Sequence, residues 1–419
     1  MNNYTMNAYE VKRDLLNFSK KISEGVNQST TKFVMDMQFG LAKSGSCLIS
    51  EIARSLNESI KLNYTIERLC DNLSNMYDDE SNIIWSNYLK EVKRNVDLDN
   101  HIVLFDDSDI NKEYSRKLED LDRVIDASSQ DKRIVNGYHV CEATILTRNE
   151  KQPLSIYSQI YSCKSKNFES KNKYTMESIK RAEDLVGDNF IGVFDRGYDD
   201  NKIIHYMSKH KFVIRLDDKR NLIFKGKRHS VEEIAQGRKG KIKMKALFDN
   251  NEEKELMISY TKASLPYNKK EYTLVIVYGL SEDHQMKLLT NLEYAEKEDV
   301  IKIVRLYLSR WRIEEHFRGK KQEYDFENMR VRTLKSMNNL NMMLTIYLGY
   351  MAMLSDKIDR KLLVIKIIEA SKSLRGKIIV WLSQMARGIK EILKYCHTGI
   401  KGWQEIKHQE KIKQLQLVL

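Results

Sequence analysis

The chain has 419 residues, 42% hydrophobic and 31% charged, with no low-complexity tract, a composition that excludes a disordered or fibrous protein and leaves room for two or three folded domains. Lys+Arg 71 against Asp+Glu 59 gives a net charge of +12, which favours polyanionic partners, nucleic acid or an acidic membrane surface. Five scattered cysteines without C-x-x-C spacing argue against both a disulfide framework and a zinc site, and the absence of a basic-then-apolar leader predicts a cytoplasmic protein.

Residues 8 to about 97 repeat apolar positions at three and four without proline, the pattern of successive helices. Within them LAKSGSCLISEIARSLNESIKLNYTIERLCDNL reads as short helices joined by tight turns, which suits either a helix-turn-helix reader of DNA or a plain helical bundle. From His101 the character changes. HIVLF (101–105), GYHVCEATIL (137–146), LSIYSQIYSC (154–163), NFIGVF (189–194) and KFVIRL are strand-like runs, with helices over NKYTMESIKRAEDLV and Asp200–Lys209. Strands mixed with helices predict an α/β core. Between about Leu216 and Asn291 the helical pattern gives way to LIFKGK, KIKMKALF, LMISYT and YTLVIVYGL, read as an inserted, mostly antiparallel β subdomain. One long helix is expected from near Glu298, then further helices over 334–396 and a basic tail. The longest apolar stretch, Leu340–Leu354, is about five residues short of a membrane span and is read as a buried helix, so no membrane partner is expected.

The segment YLSRWRIEEHFRGKK (Tyr307–Lys321) places two glutamates among bases. At about 100° per residue, a single helix puts Tyr307, Arg310, Glu314 and Lys321 on one narrow face overlapping the apolar Ile303, Leu306, Ile313 and Phe317. Lys302, Arg305, Ser309, Arg312, His316 and Lys320 fall on the far side. Glu314 is therefore expected at the edge of the core, where a carboxylate needs a cation, with Glu315 off to one side. An intrahelical Arg310–Glu314 pair would satisfy it. Asp106 and Asp195 each follow an apolar run and alone would be read as turn formers. Together with Glu314 they make a hard-oxygen set suited to two Mg²⁺ ions, with Mn²⁺ as a substitute, about 4 Å apart and able to drive phosphodiester chemistry. The surrounding bases would then offset the charge of DNA.

These residues resemble the DDE transposases of bacterial insertion sequences, specifically the insertion-sequence-four family. Its helical signature is Tyr, two residues, Arg, three residues, Glu, six residues, Lys, and Tyr307, Arg310, Glu314 and Lys321 match every spacing. LFDDSDI looks like the first-aspartate motif and VFDRGY like the second, giving Asp106, Asp195 and Glu314 as the catalytic, metal-binding set. Asp107 remains an alternative to Asp106, which is preferred because it directly ends the apolar run and has serine two positions on. The resemblance implies an α/β fold with an RNase H-like (retroviral-integrase-like) core and a β-rich insertion, flanked by helical N- and C-terminal regions. It implies Mg²⁺-dependent cleavage of element ends and joining of their 3′-hydroxyls to target DNA by cut-and-paste, with a hairpin intermediate in the family. The expected partners are double-stranded DNA, as terminal inverted repeats and target, and a second copy in a homodimer that bridges two ends at the bacterial nucleoid. Tyr307, Arg310, Lys321, Arg215 and Arg318 are the expected DNA contacts.

The implied domains are 1–97, helical and DNA-binding; 98–216, first part of the core; 217–291, the insertion; 292–333, second part of the core with the glutamate helix; and 334–419, a helical region and candidate dimerisation surface. One departure stands out. Tryptophan occurs only at 85, 311, 381 and 403, so the insertion lacks the one that relatives stack on a flipped base, leaving Tyr260, Tyr267 or Phe248 as substitutes. A nuclease that never joins, or a silent DNA-binding regulator derived from a transposase, are the alternative readings.

Overall fold

The computed structural model describes residues 3–96, 101–126, 131, 133–148, 152–247, 253–268, 270–280, 285–357, 360–372, 381–397 and 399–400. Phe248, Trp403 and the basic tail lie outside the described residues. The chain opens with α1 (Asn3–Ile22), α2 (Gln28–Ser44), α3 (Ile49–Leu56), α4 (Leu62–Asn75) and α5 (Asp78–Asn95). Local chemistry sets the ends of α2. The Asn27 side chain accepts from the Thr30 N–H at its start, and Gly45 takes the left-handed conformation (φ 62°) that stops it.

A mixed sheet follows, built on β1 (His101–Asn111), β2 (Asp122–Ile125), β3 (Ile134–Leu146) and β4 (Pro153–Tyr161), then α6 (Lys171–Val186), β5 (Phe190–Phe194), α7 (Asn201–Met207) and β6 (Lys211–Arg215). β4, β3 and β1 pair antiparallel, whereas β1, β5 and β6 run parallel, so the order across this half is β4-β3-β1-β5-β6. The parallel strands read as unbroken apolar runs because both faces are covered: all five residues of β5 are buried.

The second half comprises β7 (Asn221–Phe224), β8 (Lys227–Ser230), α8 (Val231–Gln236), β9 (Ile242–Leu247), β10 (Glu253–Ser264), β11 (Glu271–Tyr278) and β12 (Met286–Thr290). β12 pairs with β6 through Leu288↔Arg215 and Leu289↔Ile214, so the described strands form one continuous twelve-stranded sheet. The pattern for α8 was present in the sequence: Ser230 and Glu233 form a capping box, which the reading of this segment as a β-rich insertion passed over.

The chain then returns as α9 (Lys297–Leu308) and α10 (Trp311–Glu323), two helices where one was expected. Ser309 and Arg310 keep helical torsions, but the bonds tighten to i,i+3: Arg310 N–H donates to Tyr307, Arg312 to Ser309 and Ile313 to Arg310. α11 (Leu334–Asp356) is mostly apolar and buried over most of its length, packed on β4 and against α2, α4 and α5, with α12 (Lys361–Ala370) and α13 (Trp381–Leu393) also against it. Among the described residues no helix is long and apolar enough to cross a membrane.

Candidate active site

Asp106 does not close a strand, as its sequence suggests. β1 continues to Asn111 because β3 goes on pairing with it, Asp106 opposite Glu142, after β5 has stopped at Phe194. Asp195 is the first residue beyond β5. The parallel register sets Phe105 beside Phe194, and their rings stack 4.5 Å apart and 4° from parallel, so the next residues, Asp106 and Asp195, are neighbours.

α9 and α10 complete the group. The Tyr307 hydroxyl donates to Asp195 Oδ1 at 3.0 Å. Arg310 Nη1 donates to Asp106 Oδ2 at 2.7 Å, its Nη2 bonds Glu314 Oε1, and its Nε lies 4.0 Å from Asp195 Oδ1. Three carboxylates, from β1, the end of β5 and α10, therefore surround one guanidinium. Arg310 Nε is buried and has no hydrogen-bond partner among the described residues.

Electrostatics at the two aspartates diverge. Burial pushes Asp106 up to about 7; Arg310 opposes this, and the nearby Asp195 and Glu314 charges reinforce it. Burial works the same way on Asp195, but Arg310, the Arg196 backbone N–H, the Tyr307 hydroxyl and Arg215 outweigh it and hold the carboxyl below its ordinary value. Burial together with the Asp195 charge pushes the Tyr307 phenol up to about 12, so it remains a donor.

The other expected residues spread outward. Arg215, at the end of β6, is half-buried and close enough for its charge to act on Asp195 and Tyr307. Lys321 Nζ lies 3.1 Å from Glu327 and 3.7 Å from Asp109, while Arg318 is exposed. Asp107 faces away from Arg310 by strand alternation and accepts from the Tyr198 hydroxyl at 3.0 Å. Tyr260 meets Tyr294 edge-on at 4.8 Å, and Tyr267 is 45% exposed.

Four placements correct the helical-wheel reading. Glu314 is an exposed residue and Glu315 a buried one; His316 and Lys320 are buried rather than on an outer face. The tightened turn at 309–310 advances the helix by roughly 20° more per residue than an α-helix would, which rotates everything after it. His316 and Lys320 meet Glu142 in the interior, at 2.8 Å and 2.6 Å, with Ser158 and Asn341 completing the network. Burial alone would raise Glu142; Lys320 and His316 more than offset it and hold the carboxyl at about 2. Sequence reasoning missed this clamp, although Glu142 is the one charge in GYHVCEATIL and His316 and Lys320 stand four apart.

The family model described as "Transposase DDE domain" matches residues 137–348, which include Asp195 and the Tyr307–Lys321 segment but begin beyond Asp106. No curated protein is a match. Among solved structures, the chain is similar to a piggyBac transposase synaptic complex with hairpin DNA seen by cryo-EM, at TM-score 0.42 and 10% identity, over 96% of this chain and 83% of that one. It is also similar to the crystal structure of the NurA nuclease from Sulfolobus solfataricus, at TM-score 0.24 and 12% identity, over 69% of this chain and 96% of that one. Likenesses that distant speak to neither substrate nor mechanism. The family model, by contrast, spans just over half of the 419 residues, and this chain belongs to the transposase DDE-domain family.

Proposed function

We propose that the chain is a transposase of the insertion-sequence-four family that cleaves the ends of a DNA element and joins the freed 3′-hydroxyls to target DNA. The observation that carries this reading is the convergence of Asp106, Asp195 and Glu314 on Arg310. The strand order β4-β3-β1-β5-β6, antiparallel then parallel, supports an RNase H-like core. The donor set fits hard divalent ions, since it is all carboxylate and already gathered around a positive group. Asp106, Asp195 and Glu314 would hold Mg²⁺, or Mn²⁺ in its place, which supplies activation of a water or 3′-hydroxyl and stabilises the leaving oxygen.

The chain's own residues have separate tasks. Tyr307 orients Asp195 through its hydroxyl, and Arg310 supplies the countercharge to the carboxylates until it turns to a DNA phosphate. Arg215, Lys321 and Arg318 extend the basic surface on which the backbone of an element end would lie. The N-terminal helices would read the end, and a second copy would bring the other end into a homodimeric complex. Arg68 of α4 takes no part in this, because it is committed to Asp36 at 2.7 Å and Glu58 at 2.9 Å.

The test uses duplexes taken from the DNA flanking the gene, incubated with the purified protein and MgCl₂. Nicking at the element end, and a joined product from a pre-cut end, are expected. Hydrolysis without joining would leave a nuclease, and binding without cleavage would leave a regulator.

A further inference from the structure

We infer that Asp122, His139 and Cys163 form a binding site for one borderline-soft divalent cation of the zinc class, separate from the carboxylate group around Arg310. Asp122 is the first residue of β2, His139 lies in β3, and Cys163 is two residues past β4. β2 and β4 both pair with β3, Asp122 opposite Gly137 and Tyr161 opposite His139, so the start of one strand meets the end of the other. One ligand atom from each of the three residues lies within 4.8 Å of the others, with His139 Nε2 4.0 Å from Asp122 Oδ2. Sequence spacing gave no hint of this, because sheet pairing alone joins residues 122, 139 and 163.

The cluster is held in place by its surroundings. The Cys163 N–H donates to Asp122 Oδ2 at 2.7 Å and the Arg123 N–H to Oδ1 at 2.8 Å. Ser162 Oγ bonds the Asp120 carbonyl at 2.6 Å, Lys164 Nζ bonds that of Leu121 at 2.8 Å, and the Tyr161 ring stacks on His139 at 5.2 Å. Asp120 itself is fixed in the left-handed region at φ 48°. Cys163 is exposed and not disulfide-bonded, which gives an ion access from solvent and leaves a fourth position for water. A thiolate–imidazole–carboxylate set selects zinc-like ions over Mg²⁺, whereas the three carboxylates around Arg310 have the opposite preference.

Binding would replace the Cys163 S–H bond with a sulfur–metal bond and release that proton to solvent, with no change of oxidation state. The test uses the full-length protein carrying Asp106→Asn, Asp195→Asn and Glu314→Gln, so that the hard site cannot contribute, titrated with Co²⁺ and Zn²⁺ in excess MgCl₂. We expect one ion per chain, release of about one proton, and a sulfur-to-cobalt charge-transfer band in the near ultraviolet that Cys163→Ser abolishes and Cys70→Ser leaves intact. His139→Gln and Asp122→Asn should weaken zinc binding by more than the ~10–100-fold that loss of an outer-shell partner costs. Absence of the band, its survival in Cys163→Ser, or unchanged zinc affinity in His139→Gln would overturn the assignment. None of these outcomes bears on whether the chain cuts DNA.

Discussion

Arg310 donates to Asp106 across 204 residues of sequence, at 2.7 Å, while the same guanidinium bonds Glu314 one helical turn ahead. The fork thereby neutralises a carboxylate group that would otherwise repel itself. Arg310→Ala should therefore lower the melting temperature in EDTA by a few degrees, in line with about 1–3 kcal/mol for stranding a buried acceptor. It should also enlarge the rise in melting temperature on adding Mn²⁺, because no guanidinium competes for the acids. A variant that melts like the wild type under both conditions would show that the fork carries no such charge balance.

Loss of any one acid should stop chemistry and spare binding. Asp106→Asn, Asp195→Asn and Glu314→Gln are expected to reduce cleavage of an element end by at least ~10²–10³-fold, comparable to removal of a principal transition-state contact. Their gel-shift affinities for the same duplex should stay close to that of the wild type. Asp107→Asn is the contrasting variant. Because Asp107 accepts from Tyr198 and faces away from Arg310, it should retain cleavage.

The Glu142 clamp should dominate stability in this part of the sheet. Glu142→Gln leaves the Lys320 ammonium buried without its countercharge, at an expected cost of about 3–5 kcal/mol in urea unfolding. Lys320→Met should be comparably damaging. The double variant should cost clearly less than the sum, since both changes remove the same pair.

Acid should weaken the fold through this clamp, and Asp106 should partly mask the effect. Burial holds His316 below its ordinary 6.5, so the folded chain binds fewer protons there than the unfolded chain, and stability falls as the pH drops below 6.5. Glu142, held at about 2 against 4.5, contributes fully above 4.5 and loses that contribution as the pH falls towards 2. Asp106 has the opposite sign. Raised from 3.8 to about 7, it stabilises the folded chain at low pH and loses that contribution as the pH rises through 7. Between about pH 7 and 5, urea midpoints should therefore fall more steeply for Asp106→Asn than for the wild type, and less steeply for His316→Asn.

Much of the candidate site was legible because its spacing is short-range. Tyr307, Arg310, Glu314 and Lys321 belong to one helical segment, and the apolar runs before Asp106 and Asp195 announced strands whatever their partners. Where a strand stops, however, depends on its neighbours, so β1 runs through Asp106 although its apolar run has ended. The break after Leu308 was illegible for a related reason. Neither proline nor glycine marks Ser309-Arg310, and a wheel drawn at constant pitch turned His316 and Lys320 outward. Their burial follows from Glu142, a residue more than 170 positions away that no local pattern could pair with them. The same limit applies to β12, which is joined to β6 by pairing across more than 70 residues.

That β6–β12 seam has a practical corollary for anyone trimming the protein to a minimal catalytic fragment. Excising 217–291 would strip β6 of its neighbour and leave a row of vacant amide and carbonyl groups along Phe212–Arg215, flanked by buried apolar side chains. Such a bare margin recruits strands from other molecules. The shortened chain should precipitate through edge-to-edge stacking instead of persisting as a smaller enzyme.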